Sequence, residues 1–167
     1  MTPLESSIAP DGERLGGDIF MKEMPHTPTC FVCGEAKLNK RTLGLKLFWD
    51  EATKQVVIPF VPDESWCGYE DMVHGGILAA IIDDAMARAT KMESQDLYVT
   101  AKMELLFRKP VLLGKSYRAC GKVTTQKGRK VFTEAEILDE NDLPCVSATG
   151  LFVLVSQSKG ETKTETI

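Results

Sequence analysis

The run from Met72 to Thr90 limits this chain more than any other stretch. Its apolar spacing predicts one long helix, roughly Gly75 to Met92, that is hydrophobic on nearly every side. A helix of that kind has to be covered on most of its faces. It nevertheless opens on His74-Gly75-Gly76 and carries two adjacent carboxylates, Asp83 and Asp84, at its middle. Acids inside an apolar helix are costly unless something meets them.

The flanking pattern says what covers the helix. Leu43 to Trp49 and Gln55 to Val61 read as strands separated by the turn-prone Asp50-Glu51-Ala52-Thr53. After the helix, Leu97, Val99, Ala101, Met103, Leu105 and Phe107 alternate with Thr100, Lys102, Glu104 and Arg108, the pattern of a half-buried strand ended by Pro110. On that phase Thr100 faces away from the helix. Ser116 to Thr125 and Arg129 to Leu138 form a hairpin about Gln126-Lys127-Gly128, and Leu143 to Val155 is a last strand. The expected class is therefore α+β, an antiparallel sheet of about six strands wrapped around a single central helix. Residues 1–28 read as a flexible N-terminal arm with a short helix around Ile19 to Met24, residues 29–156 as the folded domain, and residues 157–167 as a disordered tail.

A chain of 167 residues is the size of one domain with a real core. Its net charge of -4 argues against nucleic acid or an anionic membrane surface as partner, both of which need clustered positive charge. No stretch approaches the roughly 20 apolar residues of a membrane span, and no secretory pattern opens the chain. The five cysteines are odd in number and scattered, which suits reduced thiols and a cytoplasmic setting. Cys30-x-x-Cys33 is half of a zinc pattern, and His26 and Cys67 can be imagined as further ligands. Structural zinc sites usually show a second close pair, so the expectation is no metal and a turn with small buried thiols. No Gly-x-Ser-x-Gly elbow, P-loop or dinucleotide fingerprint occurs.

The two acids separate by their neighbours. Asp84 has Arg88 four residues on, which reads as a surface ion pair. Asp83 has Ala79, Ala80, Met86 and Ala87 at the touching positions and so no partner on its own helix. Either a distant amide or hydroxyl satisfies it, or it is a base with a tuned pKa in a partly dry cleft. At the helix start, the first amides lack intrahelical acceptors and carry the positive end of the dipole. Glycines there let a ligand carbonyl approach, as in an oxyanion hole; alternatively they relieve crowding where helix meets strand. His74 on its own reads as a capping residue. Gly75 and Asp83 lie about 12 Å apart along the axis, at roughly 1.5 Å per residue. One helix cannot bring both to a single carbonyl carbon, whereas two copies related by a two-fold axis can. If both act together, the active unit is at least a dimer.

With these residues in place, the segment from Gly68 through His74-Gly75-Gly76 to Asp83-Asp84-Ala85-Met86 resembles the helix motif of the hot-dog thioesterase superfamily, in its phenylacetic-acid-degradation (PaaI-like) branch. Cys-Phe-Val-Cys-Gly from Cys30, Leu-Gly-Leu-Lys-Leu from Leu43 and the strand from Thr100 to Pro110 extend the likeness over about Cys30 to Val155. In that family an acid nine positions after the His is catalytic, which selects Asp83. The resemblance implies hydrolysis of acyl-coenzyme A at a homodimer interface, often within a homotetramer, without metal or redox cofactor. It places His74, Gly75, Asp83 and Thr100 in the catalytic set, with the Gly75 N–H polarising the carbonyl and Asp83 acting from the partner chain. Gly76, Gly68, Arg129 and Lys130 are the substrate-binding candidates, the last two for coenzyme A phosphates. Related enzymes often carry Asn or Gln where this chain has Gly68, which leaves open a non-catalytic acyl-CoA or acyl-carrier binding protein. A hydratase is disfavoured because its His and Asp pattern is not evident.

Overall fold

The computed structural model describes residues 21–94 and 96–156. A helix α1 (Gly75–Glu93) lies against a sheet built from β1 (Met21–Glu23), β2 (Phe48–Asp50), β3 (Gln55–Phe60), β6 (Leu97–Phe107), β7 (Tyr117–Lys127), β8 (Lys130–Leu138) and β9 (Pro144–Ser156). The sheet has seven strands in the order β1-β2-β3-β7-β8-β9-β6, every neighbouring pair antiparallel. A separate two-stranded ribbon, β4 (Cys67–Tyr69) with β5 (Met72–Val73), leads into the helix. The expected class and the single central helix are both present.

α1 packs on β3, β6, β7, β8 and β9, and its buried side is Leu78, Ile81, Ile82, Ala85, Met86, Ala89 and Thr90. Those positions recur every three or four residues, one stripe of a 3.6-residue period. They meet Val56, Ile58, Ala119, Ile137, Val146 and Phe152 from the sheet. The helix comes close because β7 offers no side chain at Gly121: a Cβ there would sit 2.7 Å from the Ala85 carbonyl carbon and 2.8 Å from its oxygen. Both are backbone atoms, so the helix itself would have to move.

Three elements differ from expectation. Met21–Glu23 is a strand rather than part of a helix, since β2 presents an open edge that it joins through Met21↔Asp50 and Glu23↔Phe48; Ile19 and Phe20, like the remainder of the arm to residue 20 and the tail from residue 157, lie outside the described residues. The strand expected at Leu43–Trp49 shortens to Phe48–Asp50. Upstream of it, Leu43 N–H and Leu45 N–H donate to Phe31 O (2.7 Å) and Val32 O (2.9 Å), so this backbone pairs with a loop instead of a ladder. The β4–β5 ribbon was not expected at all. It is held down by Phe60, which stacks on Trp66 and on Tyr117 with ring centroids 5.8 Å apart in each case.

Replacing Gly121 with Ala is expected to destabilise the domain by about 1–3 kcal/mol, the usual cost of overpacking. Urea denaturation measures it, and an unchanged midpoint would show that α1 is not wedged against β7.

Candidate active site

His74 leaves the β4–β5 ribbon in an extended conformation (φ -61, ψ 129) and caps α1, its Nδ1 accepting the Gly76 N–H at 2.9 Å. Its own N–H donates to Trp66 O at 2.8 Å, which anchors the cap to the ribbon. The Gly76 amide is therefore spent inside the chain, and a Cβ at Gly76 would come within 3.0 Å of the His74 ring. Gly68 is a steric requirement as well: a Cβ there would meet His74 Cα at 2.7 Å. Crowding accounts for both of these glycines. It does not account for Gly75, where a Cβ would make only ordinary contact with the Phe107 ring at 3.4 Å. Among the described residues the Gly75 N–H has no acceptor, so of these amides it is the one left to face a ligand.

Asp83, half-buried at the middle of the helix, finds its partner on another element. Its Oδ1 accepts from Thr100 Oγ1 at 2.6 Å. Thr100 thus faces α1 rather than away from it, and the cause is a break in the ladder. Against β9, Thr100 pairs with Phe152 and Lys102 with Leu151, leaving Ala101 as an extra residue, a β-bulge. Ahead of the bulge Tyr98 is buried at 7% exposure while Val99 is 46% exposed. Beyond it Met103 and Leu105 pack on the core. The strand changes phase at one residue, and the polar-phase assignment of Thr100 fails there.

Asp84 corrects a second expectation. Its Oδ1 does lie 3.6 Å from Arg88 Nε, but the side chains are only 14% and 11% exposed, so this is no surface pair. Burial pushes the Asp84 carboxyl above the usual carboxylate range, against the pull of Arg88. The other oxygen, Oδ2, is buried without a hydrogen-bond partner. Around it stand Cys30 and Cys33, whose thiols share the site with the Arg88 guanidinium. Desolvation therefore falls on the acid that the i to i+4 pairing marked as solvated.

Arg129 and Lys130 sit at the exposed β7–β8 hairpin tip. Arg129 Nη2 donates to Leu154 O at 2.9 Å, and Gln126 Nε2 in the same hairpin donates to the Tyr98 hydroxyl at 3.0 Å. The tip therefore borders the end of β6 that carries Thr100. One protomer brings together Asp83 with Thr100, and His74 with Gly76, Gly68 and Phe107-packed Gly75, as two separate groups. They stand about 12 Å apart along α1. Phe107 was missed by sequence reasoning, and only its place at the end of a strand hinted at it.

Residues 70–146, which include α1, β6, β7 and β8, match the family model described as "Thioesterase superfamily". The matched stretch resembles that superfamily. An uncharacterized protein of Schizosaccharomyces pombe is 28% identical to it over 128 residues, covering 74% of this chain and 73% of the relative. The acyl-coenzyme A thioesterase THEM4 of Xenopus laevis is 29% identical over 108 residues, 64% of this chain and 48% of THEM4. The chain thus spans about half the length of that relative. Among solved structures, the PaaI protein of the E. coli phenylacetic acid degradation operon superposes with a TM-score of 0.64 at 20% identity, covering 74% of this chain and 85% of PaaI. The protein smu.793 of Streptococcus mutans UA159, bound to acetyl CoA, gives 0.60 at 14% identity over 64% of this chain and 85% of that one. These superpositions establish the hot-dog fold that the chain shares with them. No described helix is long and apolar enough to cross a membrane.

The His74 cap is expected to stabilise α1 by about 1 kcal/mol. His74→Ala should lose that amount in chemical denaturation and His74→Asn should retain most of it. Equal losses in the two variants would show that the ring acts by packing, not by accepting the Gly76 N–H.

Proposed function

We propose that this domain hydrolyses acyl-coenzyme A thioesters to the free acid and coenzyme A, working as a homodimer with two equivalent sites. The observation that carries the reading is the Asp83–Thr100 hydrogen bond, set on the same helix as an unpaired Gly75 amide but too far from it to serve the same carbonyl. The match to the thioesterase-superfamily model and the likeness to an acyl-coenzyme A thioesterase support the reaction class. The coenzyme A moiety is part of the substrate, and the chemistry below calls for no metal or redox cofactor.

β6 offers the means of dimerisation. It is an edge strand of 11 residues with exposed Leu97, Val99, Leu106 and Phe107. A long open edge invites a second strand. Antiparallel pairing of two copies of β6 about a two-fold axis near the middle of the strand brings Thr100 to the Phe107 end of the partner subunit's strand. That pairing carries the partner subunit's Gly75 toward Asp83. In the resulting cleft Asp83 takes a proton from water and the hydroxide adds to the thioester carbonyl. The developing oxyanion accepts the Gly75 N–H of the partner subunit. Collapse expels the coenzyme A sulfur, which leaves as the thiol with the proton held by Asp83. Thr100 keeps Oδ1 fixed, so Oδ2 is the oxygen presented to water. Lys130 and the remaining N–H groups of Arg129 lie at a hairpin tip where they can meet phosphates.

Asp83→Asn is expected to slow release of free coenzyme A thiol by ~10²–10⁴, with folding and assembly retained. Thr100→Val should cost roughly 10- to 100-fold, the worth of one hydrogen bond to a charged group. Unchanged turnover in Asp83→Asn removes that residue from the reaction, and full activity in a stable monomer overturns the shared site. A second reading, acyl-CoA binding without hydrolysis, is favoured by Gly68 alone. Its contact with His74 excludes the Asn or Gln that would hold the carbonyl. Tight binding of acyl-CoA with no thiol released would decide for it.

A further inference from the structure

Beneath α1, on residues with no part in that chemistry, the fold assembles a group that the chain order conceals. The loop Cys30-Phe31-Val32-Cys33-Gly34 turns back on itself, with Gly34 N–H bonded to Cys30 O at 3.1 Å. The turn is tight enough that a Cβ on Gly34 would lie 2.2 Å from that oxygen. Both sulfurs accept N–H donors: Cys30 Sγ from Val32 N–H at 3.3 Å, and Cys33 Sγ from Arg88 Nη2 at 3.2 Å. The third member comes from the helix. Asp84 Oδ1 is 3.9 Å from Cys30 Sγ, and one ligand atom from each of Cys30, Cys33 and Asp84 lies within 4.8 Å of the others. The remaining carboxylate oxygen, Asp84 Oδ2, is buried with nothing bonded to it.

We propose that Cys30, Cys33 and Asp84 form a zinc site that fastens the N-terminal loop to the central helix. Two sulfurs and a carboxylate are a borderline-soft donor set of the kind zinc takes. Zinc–sulfur bonds of about 2.3 Å make the edge of a tetrahedron about 3.8 Å, so these side chains need only close in slightly. Charge closes as well. Two thiolates and a carboxylate bring three negative charges, which a divalent ion and the Arg88 guanidinium cancel, so no net charge is buried. Arg88 is itself held by Thr27 Oγ1 at 2.9 Å, on the same segment as the cysteines. Three protein ligands leave the fourth position to water, on the half-exposed Cys30 side. Because Asp84 directly follows Asp83, the ion would brace the helix where the proposed base sits, but the site stands whether or not the domain is a hydrolase.

The test uses the full chain purified under reducing conditions and equilibrated with zinc, then freed of excess by gel filtration. One zinc per chain is expected. Cobalt in its place should give thiolate-to-cobalt charge transfer with the intensity of two sulfur ligands and the visible bands of a tetrahedral ion. Asp84→Asn, which keeps both thiols, should weaken zinc at least tenfold. Cys30→Ser should abolish the charge-transfer band. Should the cysteine variant fail to fold, titrating the unaltered chain with an organomercurial should release the zinc after the exposed Cys67 has reacted, as Cys30 and Cys33 are blocked. Substoichiometric zinc after equilibration, a cobalt spectrum without sulfur ligation, zinc affinity unaltered in Asp84→Asn, or zinc retained after thiol blockade would each overturn the site.

Discussion

The close seating of α1 on the sheet governs the rest of the molecule. With Gly121 drawing β7 against Ala85, and the Leu78, Ile81, Ile82, Met86 stripe sunk into the core, little of the helix is left to water. Its two carboxylates are both drawn partly out of water, and of the helix's two cations, Arg88 and Lys91, it is Arg88 that pairs with one of them. Each is met by a different element: Asp83 by Thr100 of β6, Asp84 by Arg88 and the cysteine loop. Meeting these two acids is what ties the post-helical strand and the N-terminal loop to one another through α1.

A single inserted residue decides whether the first of these bonds exists. Ala101 is the extra residue of the bulge between β6 and β9, and without it Thr100 would keep the outward phase of Lys102 and Glu104. The bounds of β6 were legible because eleven residues of strand propensity end at a proline. Its facing was not, since a period of two carries through a strand only where the ladder is unbroken. The outward Leu97 and Val99 are apolar without serving the protomer's own core, which agrees with an edge that a second copy covers in the proposed dimer.

At the helix start, legibility ran the other way. His74 reads as a cap from its place before an apolar helix, and it is one. The three glycines look alike in the sequence yet have different causes: Gly68 and Gly76 yield to His74, while Gly75 meets little. Only the positions of neighbouring atoms separate steric need from an open approach. The same holds for Arg129, whose charge is plain but whose commitment to the Leu154 carbonyl depends on how β8 and β9 pair.

By itself the sequence determined the class of fold, the single buried helix, most of the long strands and the short list of residues with chemistry to offer. Those follow from periodicity and local propensity, which act over a few residues. Tertiary structure alone decided which acid is the more deeply buried, which way Thr100 points, and that Cys30 and Cys33 share a site with Asp84. Each of these joins residues far apart in the chain, or turns on one irregularity in hydrogen bonding, and helical or strand spacing carries no information about what packs against a given face.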